Sequence, residues 1–322
     1  MKGWVHVAWH SLPAMAGQDA DRVTGAPHLA WAMVMLKALG GRCSVERLGG
    51  LSGEVFRFEM RDRPEDPAPD PFSAVSLHQG FDALGYTPSI LCGTGPEEAL
   101  DVAWAELSEK RPVLARGLSG VDWGMIVGLR AGGRTVGVWR DAVTWLDIAE
   151  VNDVGPLCFE IVTIGPRSRE PAYPHTTREA LGRAIRRMAA AVTSAAGTLS
   201  GYRVGENAWA ALQAWHDRTD PREVASSDLV DVAMRLARRR CGAGAFLEKT
   251  KTEWLVAQAC FSTARERFLE VAGAMHRVAR LHATLPDDEA HDQVSDCIAT
   301  ARLRESDAIV SLRTAAEAIR HL

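Results

Sequence analysis

A cysteine beside a predicted helix start is the residue with the clearest potential for covalent chemistry. Cys92 lies in the segment LCGTGPEEA, just before a helix that Thr94 is expected to cap. A thiol at a helix N-terminus ionises more readily, because the helix dipole stabilises the thiolate. A cysteine nucleophile also needs a base, and the sequence assigns no histidine to Cys92. Cys92 is therefore a weak catalytic candidate, and packing as a small hydrophobic residue is the interpretation that we favour.

Two other side chains have the right type for chemistry. Ser52 lies in a GLSG turn that resembles a nucleophile elbow, but Glu54 stands where the second glycine of that turn is required. His28 lies at a predicted helix start, where an imidazole could act as a base or bind an anion. A glycine turn at Ser52 and a hydrogen bond from His28 to the adjacent loop are the simpler interpretations.

The composition argues against several classes of protein. The 6 cysteines contain no C-x-x-C pair, and the 10 histidines show no H-E-x-x-H motif. We therefore predict neither a metal site nor a cofactor. A net charge of -4 argues against a nucleic-acid partner. No run of about 18 uncharged apolar residues is present, so we expect no membrane partner.

The N-terminus and the thiols predict a cytoplasmic protein. Met1-Lys2 leads directly into a strand-like segment, without the apolar core of a signal peptide. Scattered cysteines are typical of reduced thiols. All except Cys92 fall in segments predicted as helix end, strand or bundle core, where a thiol is inert; these are Cys43, Cys158, Cys241, Cys260 and Cys297.

A core helix must position the candidate residues of the N-terminal half. Segment 27–39 is apolar on almost every face, which is typical of a buried helix, and Gly40-Gly41 ends it. A short helix over 45–48 is expected next. Glycines then interrupt the chain before EVFRFEM (54–60), whose alternation predicts a strand.

Strands dominate the rest of this half. Helices are predicted over 71–85 and 96–110, and strands at 3–9, 87–92, 112–117, 124–130, 134–140 and 158–164. The segment AGG (131–133) predicts a hairpin between the strands on either side of it. A helix near the start and antiparallel strands clustered late predict the α+β class.

A segment rich in proline and charge divides the chain. We predict an α+β domain over 1–165, a linker over 166–176 and an all-α helical bundle over 177–322. The bundle is expected to contain a helix at 177–196 capped by Thr176 and a helix at 205–217. A third helix would start at Asp220 or Ser227 and stop before Gly242.

A seven-residue repeat predicts a long antiparallel helix hairpin pivoting at Pro286. The first seam is Leu247, Trp254, Phe261, Phe268 and Met275. The second helix, 288–320, carries its own apolar seam. The short connection favours an intramolecular bundle over a partner-binding coiled coil, although a homodimer through this half stays open. Glu305 interrupts the second seam, so an ion pair with Arg265, or alternatively Arg267, is expected.

Two segments of the N-terminal half together carry a family resemblance. PHLAWAMVMLKALGG (27–41) and DWGMIVGLRAGGRTVGVWRD (122–141) resemble the first helix and the late hairpin of the papain-like cysteine peptidase and acyltransferase superfamily. Within it, the chain is similar to double-glycine-leader peptidase domains and to the butirosin-pathway acyltransferase. The helices containing AWAALQAW (208–215) and ARLRESDAIVSL (301–312) resemble the region attached to uncharacterised bacterial members.

The resemblance implies a site that this sequence lacks in part. Family members enter the first helix with a nucleophilic cysteine, and their hairpin begins with a histidine and ends with Asp or Asn. Here Pro27-His28 replaces the nucleophile and Asp122-Trp123 replaces the base, whereas Asp141 is retained. Loss of either group abolishes this mechanism.

We therefore expect a catalytically decayed papain-like protein that retains a cleft for a peptide or small metabolite. The predicted binding residues share that cleft and are His28, Trp31, Asp122, Trp123 and Asp141. His28 and Trp123 should then approach each other. Two alternatives remain: an active acyltransferase or amidohydrolase that uses Cys92, and a structural protein that binds a partner through its helices.

Overall fold

The protein combines helices with an antiparallel sheet, and its C-terminal half is built from long helices. The computed structural model describes residues 5–6, 26–61, 73–92, 96–118, 121–130, 135–139, 143–147, 160–170, 173–189, 202–285 and 287–320. The chain forms two compact units. The described residues of unit 1 fall within 5–6, 27–48 and 73–170, and those of unit 2 are residue 26 and residues within 49–61 and 173–320.

The described residues form ten α-helices and nine strands. The helices are α1 (Pro27–Ala38), α2 (Val45–Ser52), α3 (Ser73–Ala83), α4 (Pro96–Ser108), α5 (Tyr173–Ala189), α6 (Glu206–His216), α7 (Pro221–Ala225), α8 (Leu229–Thr250), α9 (Gln258–Leu281) and α10 (Asp288–Ala318). The strands are β1 (Val5–His6), β2 (Glu59–Arg61), β3 (Tyr86–Cys92), β4 (Val113–Leu118), β5 (Val121–Leu129), β6 (Thr135–Trp139), β7 (Val143–Asp147), β8 (Glu160–Arg167) and β9 (Tyr202–Val204). No helix in the described ranges is long and apolar enough to cross a bilayer.

Unit 1 is organised around an antiparallel sheet. Its strands follow the order β3-β8-β4-β5-β6-β7, and every neighbouring pair is antiparallel. The two-residue strand β1 adds to the sheet where β5 extends beyond β4, with Val5 opposite Leu129. The predicted hairpin of β5 and β6 is confirmed.

Helices cover both faces of this sheet. On one face, Ala99, Ala103 and Leu107 of α4 pack on strand residues that include Ala115 and Ile126. Because side chains alternate along a strand, Arg116 and Trp123 belong to the opposite face. The rings of α1 pack on that second face.

The predicted core helix is confirmed as α1. Its residues from Leu29 to Leu36, apart from Trp31, are at most 5% exposed, so apolar side chains are buried all around the helix. The left-handed backbone of Gly40, with φ of 74°, ends the helix as expected.

Unit 2 is a helical bundle with a small two-stranded sheet. Helix α9 packs along α8 on one side and along α10 on the other, which confirms the predicted hairpin before and after Pro286. The apolar side chains of both predicted seams are buried in two apolar clusters, apart from Trp254, which is half-buried against one of them. Strand β2 pairs with β9, and it places Phe58 against Trp209 with ring centroids 4.7 Å apart.

The seven-residue repeat spans two helices instead of one. Leu247 belongs to the last turns of α8, Trp254 lies in the connection, and Phe261 belongs to α9. Leu247, Phe261 and Phe268 nevertheless share one apolar cluster. The chain reverses its direction at this connection. The seven-residue repeat therefore continues through the sequence, but its residues lie on two facing helices of one apolar core.

The predicted strand over 54–60 is wrong for its first half. Glu54–Phe56 forms a 3-10 turn, and only Glu59–Arg61 is strand. Gly53, with φ of 80°, starts the turn, and Glu54, Val55 and Phe56 are all buried. The turn directs three successive side chains into the interior of unit 2, which an alternating strand cannot do.

Two of the helix ends predicted at glycines are wrong. Helix α2 continues through Gly49 and Gly50 to Ser52, and α8 continues through Gly242 to Thr250. A Cβ atom on Gly50 would lie 2.0 Å from the Phe246 ring. Gly50 therefore permits close packing inside a helix instead of breaking it.

The predicted N-terminal cap of α5 is also wrong. The helix begins at Tyr173, so Thr176 lies inside it and is buried. Pro174 falls in the first turn, where the missing N–H costs nothing. The predicted end at 196 lies outside the described residues, which stop at Ala189 in this region.

Candidate functional site

The first turn of α1 brings His28 to Trp123. The ring centroids lie 5.8 Å apart at an interplanar angle of 40°, and both residues are only 3% exposed. The predicted approach of these residues, which are far apart in sequence, is therefore confirmed. It follows from the packing of the apolar α1 across β5, since Trp123 is the third residue of that strand.

One turn further along α1, Trp31 makes a second aromatic pair. Its ring meets Trp139 of β6 edge-on, with centroids 5.6 Å apart and an angle of 85°. Residues three apart share a helix face, so His28 and Trp31 face the sheet together. Trp31 is half-exposed, whereas Trp139 is 5% exposed. Trp31 is thus the solvent-accessible member of this aromatic group.

A charged pair continues the same face of the sheet. Arg116 of β4 lies opposite Trp123 in the register of β4 with β5, and opposite Glu160 in its register with β8. Directly opposed residues of antiparallel strands place their side chains on one face. Trp123, Arg116 and Glu160 therefore form a row across three strands.

The row is buried and electrically paired. An Nη of Arg116 lies 3.5 Å from Glu160 Oε2, and the two residues are 4% and 6% exposed. The Arg116 guanidinium also lies 5.8 Å from the Trp123 ring centroid, within range of a cation–π contact. The indole N–H of Trp123 has no hydrogen-bond acceptor among the described residues.

The register also locates the backbone of Cys92. Cys92 is opposite Glu160 in the pairing of β3 with β8, so it lies three strands from Trp123. With strands about 4.8 Å apart, the Cα atoms of Cys92 and Trp123 are separated by about 14 Å. A thiol and its general base need a heavy-atom distance of about 3 Å. The backbone of Cys92 therefore lies well beyond that distance from the backbone of Trp123.

The other predicted site residues lie partly or wholly outside the described part of the chain. Asp141 lies outside the described residues, and so do the side chains of Asp122 and Cys92. Strand β6 ends at Trp139, two residues before Asp141. The expected approach of Asp141 to the start of α1 therefore stays a prediction.

Unit 2 contains a second buried charge pair, and it corrects the predicted partner of Glu305. Glu305 is 1% exposed and accepts two hydrogen bonds from Arg240, at 2.5 Å from Nε and 2.6 Å from Nη2. Arg265 instead pairs with Glu248, and Arg267 with Glu270. The prediction considered only the two hairpin helices, whereas the actual partner comes from α8.

The second guanidinium edge of Arg240 holds the 3-10 turn. Its Nη1 donates to the carbonyl oxygens of Val55 at 2.9 Å and Arg57 at 3.2 Å. Buried carbonyls next to a turn need donors, and Arg240 supplies them while also neutralising Glu305. Arg240 thereby joins α8, α10 and the turn, which is a structural role.

Arginines are numerous around this turn. Arg57 pairs with Glu54 and Glu59, and Arg239 lies 3.6 Å from Glu54 Oε2. Burial, together with the nearby Arg57 charge, lowers the pKa of Arg187 below its ordinary value. These contacts organise the interior of unit 2.

The described cysteines are free thiols, and their burial is uneven. Cys297 is buried, whereas Cys43, Cys241 and Cys260 are half-buried. Burial raises the pKa of the Cys241 and Cys297 thiols, so both are poor nucleophiles at neutral pH. Cys260 lies at the edge of an apolar cluster of unit 2. Cys158 lies outside the described residues.

Sequence reasoning missed Arg116 and Glu160. Both interrupt otherwise apolar strand segments, PVLARG and CFEIVTI, and a charge within a buried strand pattern is the signal that could have identified them. No cluster of three or more His, Cys, Asp or Glu suited to a metal ion occurs in the described ranges. The chain matches no protein-family model and no curated protein sequence.

Proposed function

We propose that unit 1 is a papain-like domain that has lost cysteine chemistry and binds a peptide or small metabolite beside His28 and Trp123. The order of its elements supports this proposal: a buried helix comes early, and a late antiparallel hairpin meets the start of that helix. The free thiols of the described cysteines fit a protein of the cytoplasm.

The observation that carries the proposal is the pairing of α1 rings with sheet rings. His28 with Trp123 and Trp31 with Trp139 lie on the face that also holds Arg116. Aromatic side chains with a few polar groups are the common lining of small-molecule sites. A flat amide or ring could stack on the half-exposed Trp31.

Binding fits these residues better than catalysis does. The first residues of α1 are Pro27 and His28, so the helix start carries no thiol. Cys92 is separated from the His28–Trp123 contact by the strands that carry Arg116 and Glu160. An enzyme using Cys92 would need a base from another part of the chain.

Native mass spectrometry of the purified full-length protein tests the proposal. We expect the wild-type spectrum to contain a species heavier than the chain by one discrete ligand mass. Trp31→Ala should abolish that species, because Trp31 is the accessible ring of the site. Trp31 is only half-buried, so its truncation should leave the fold intact.

Trp104→Ala is the matched control. Trp104 is also half-buried, but it belongs to α4, which packs on the opposite face of the sheet from Trp31. The control should retain the ligand. Equal ligand occupancy in the Trp31→Ala and wild-type proteins, or no ligand in either, would contradict the proposal. Covalent turnover that disappears in Cys92→Ala would favour the enzyme alternative instead.

A further inference from the structure

A stacked pair of histidines joins two helices inside unit 2. His216 is the last residue of α6, and His291 lies in the first turn of α10. Their ring centroids are 4.1 Å apart with an angle of 20°. His216 is 0% exposed, and His291 is half-buried. The stack is therefore a close face-to-face contact that excludes water from one ring completely.

The ring nitrogens of this pair are poorly satisfied. Neither nitrogen of His216, nor Nε2 of His291, has a hydrogen-bond partner among the described residues. The nearest carboxylate oxygen, Asp217 Oδ1, is 3.8 Å from His216 Nδ1. That oxygen already accepts from Gln213 Nε2 and Ser295 Oγ, each at 2.8 Å. A proton on His216 Nδ1 would lie beyond normal hydrogen-bond distance of Asp217 Oδ1, and the positive charge of the ring would lie against the face of His291.

The electrostatic surroundings of His216 oppose its protonation. Burial has the largest effect, followed by His291 of α10, and together they lower the pKa of His216 to about 4. Two carboxylates act in the opposite direction: Asp217 at the end of α6 and Asp292 of α10. The repulsive and desolvation effects dominate, so the imidazole of His216 is neutral at pH 7.

We propose that the His216–His291 stack is an acid-sensitive latch, which holds α6 on α10 at neutral pH and releases it as the pH falls toward 5. Two stacked neutral rings attract each other, whereas protonation places a positive charge against the second ring in a water-free contact. The released state would restore water to both rings.

The direction of the pH effect follows from linkage. A released His216 binds protons with an ordinary pKa of about 6.5, whereas the latched one does so only near 4. The latched state is fully favoured above pH 6.5 and loses its advantage as the pH falls through that interval. Between pH 7.5 and pH 5, the ratio of latched to released protein should fall by about 30-fold.

Other contacts limit the motion to α6 and the start of α10. Arg302 Nε donates to Glu206 at 2.6 Å, at the opposite end of α6 from the histidine stack. Trp209 and Leu212 of α6 are anchored in the apolar cluster of unit 2. We therefore expect the last turn of α6, which carries His216, to open first, and Trp215 would then have to leave the same apolar cluster.

Hydrogen exchange of the full chain at pH 7.5 and pH 5 tests the latch. After correction for the intrinsic exchange rate, peptides covering 206–216 should open about 30-fold more often at pH 5, measured relative to peptides covering 258–281. His216→Phe keeps an aromatic ring but has no titrating group, so this pH dependence should disappear. His276→Phe, on the half-buried part of α9, should behave as wild type.

Two outcomes would overturn the proposal: an acid-induced opening that persists in His216→Phe, or none in the wild type. If His216→Phe fails to fold, His291→Phe provides the alternative test. Removing the facing imidazole should raise the pKa of His216 and so reduce the opening of peptides 206–216 at pH 5. Titration of the His216 C2 proton by NMR gives an independent readout. A midpoint near 6.5 in the native protein would also overturn the proposal.

Discussion

At the scale of single residues, buried charges in both units are held in pairs. Arg116 pairs with Glu160 in the sheet of unit 1, and Arg240 pairs with Glu305 in the bundle. The second pair has two hydrogen bonds, and Arg240 also donates to two backbone carbonyls. Removing one partner of such a pair leaves a buried charge without compensation, so these positions should be intolerant of substitution.

We predict that Glu305→Ala destabilises unit 2 by about 3–5 kcal/mol, because the Arg240 guanidinium is left charged in a dry interior. Urea denaturation followed by circular dichroism measures the effect. Glu206→Ala is the control, since the Arg302–Glu206 pair is about 40% exposed and should contribute below about 1 kcal/mol. Equal losses for the two variants would contradict the special role of the buried pair.

The second prediction at this scale concerns thiol reactivity. Brief iodoacetamide treatment at pH 7 should label Cys92 first or label no cysteine. Cys241 and Cys297 should react last, because burial raises their pKa and reduces the thiolate fraction. Cys92→Ala should leave stability nearly unchanged.

Peptide mapping by mass spectrometry provides the order of labelling. In 6 M urea all six cysteines should react at similar rates, which serves as the control. Labelling of Cys241 or Cys297 ahead of Cys92 in the native protein would show that burial does not set the order.

At the scale of elements, glycine has two different roles inside helices. Gly50 of α2 lies against Phe246, and a Cβ atom there would overlap the ring. Gly273 of α9 has no atom within 4 Å of its virtual Cβ. Glycine therefore permits close packing against a ring in α2, whereas in α9 it only lowers the stability of the helix through its poor helix propensity.

Paired alanine substitutions test this difference. Gly50→Ala should destabilise the protein by about 1–3 kcal/mol, because the core must absorb an extra methyl group. Gly273→Ala should stabilise it by about 0.5–1 kcal/mol through helix propensity. Thermal unfolding of both variants gives the comparison, and the same sign for both changes would refute it.

At the scale of the whole molecule, unit 2 is discontinuous in sequence. The segment 49–61 precedes most of unit 1 in the chain but belongs to unit 2. It supplies Val55 and Phe56 to one apolar cluster and Phe58 and Met60 to the other. The helices that follow residue 172 therefore do not contain their complete core.

We predict that fragment 172–322 does not unfold cooperatively on its own. Loss of a buried Phe side chain costs about 3–5 kcal/mol, and two are missing, against a typical total stability of about 5–15 kcal/mol. Fusing residues 49–61 to the fragment through a flexible linker should restore a cooperative thermal transition. A cooperative transition of fragment 172–322 without that segment would contradict the prediction.

The sequence by itself determined the parts of the fold that depend on local pattern. The apolar run of α1, the β5–β6 hairpin around AGG and the helix break before Pro286 all follow from residues close together in the chain. The approach of His28 to Trp123 was also predictable, although only through the family resemblance. Burial of Glu305 followed from its position in an apolar seam.

Only the tertiary structure decided the features that depend on partners distant in sequence. Arg240 replaced Arg265 as the partner of Glu305 because a third helix packs beside the hairpin. Gly50 stayed helical because Phe246 packs against it. The His216–His291 stack and the row of Trp123, Arg116 and Glu160 depend on register between separate elements. Hydrophobic periodicity identifies which face of a helix or strand is buried. The residues that pack against that face come from distant parts of the chain, and no local sequence pattern specifies them.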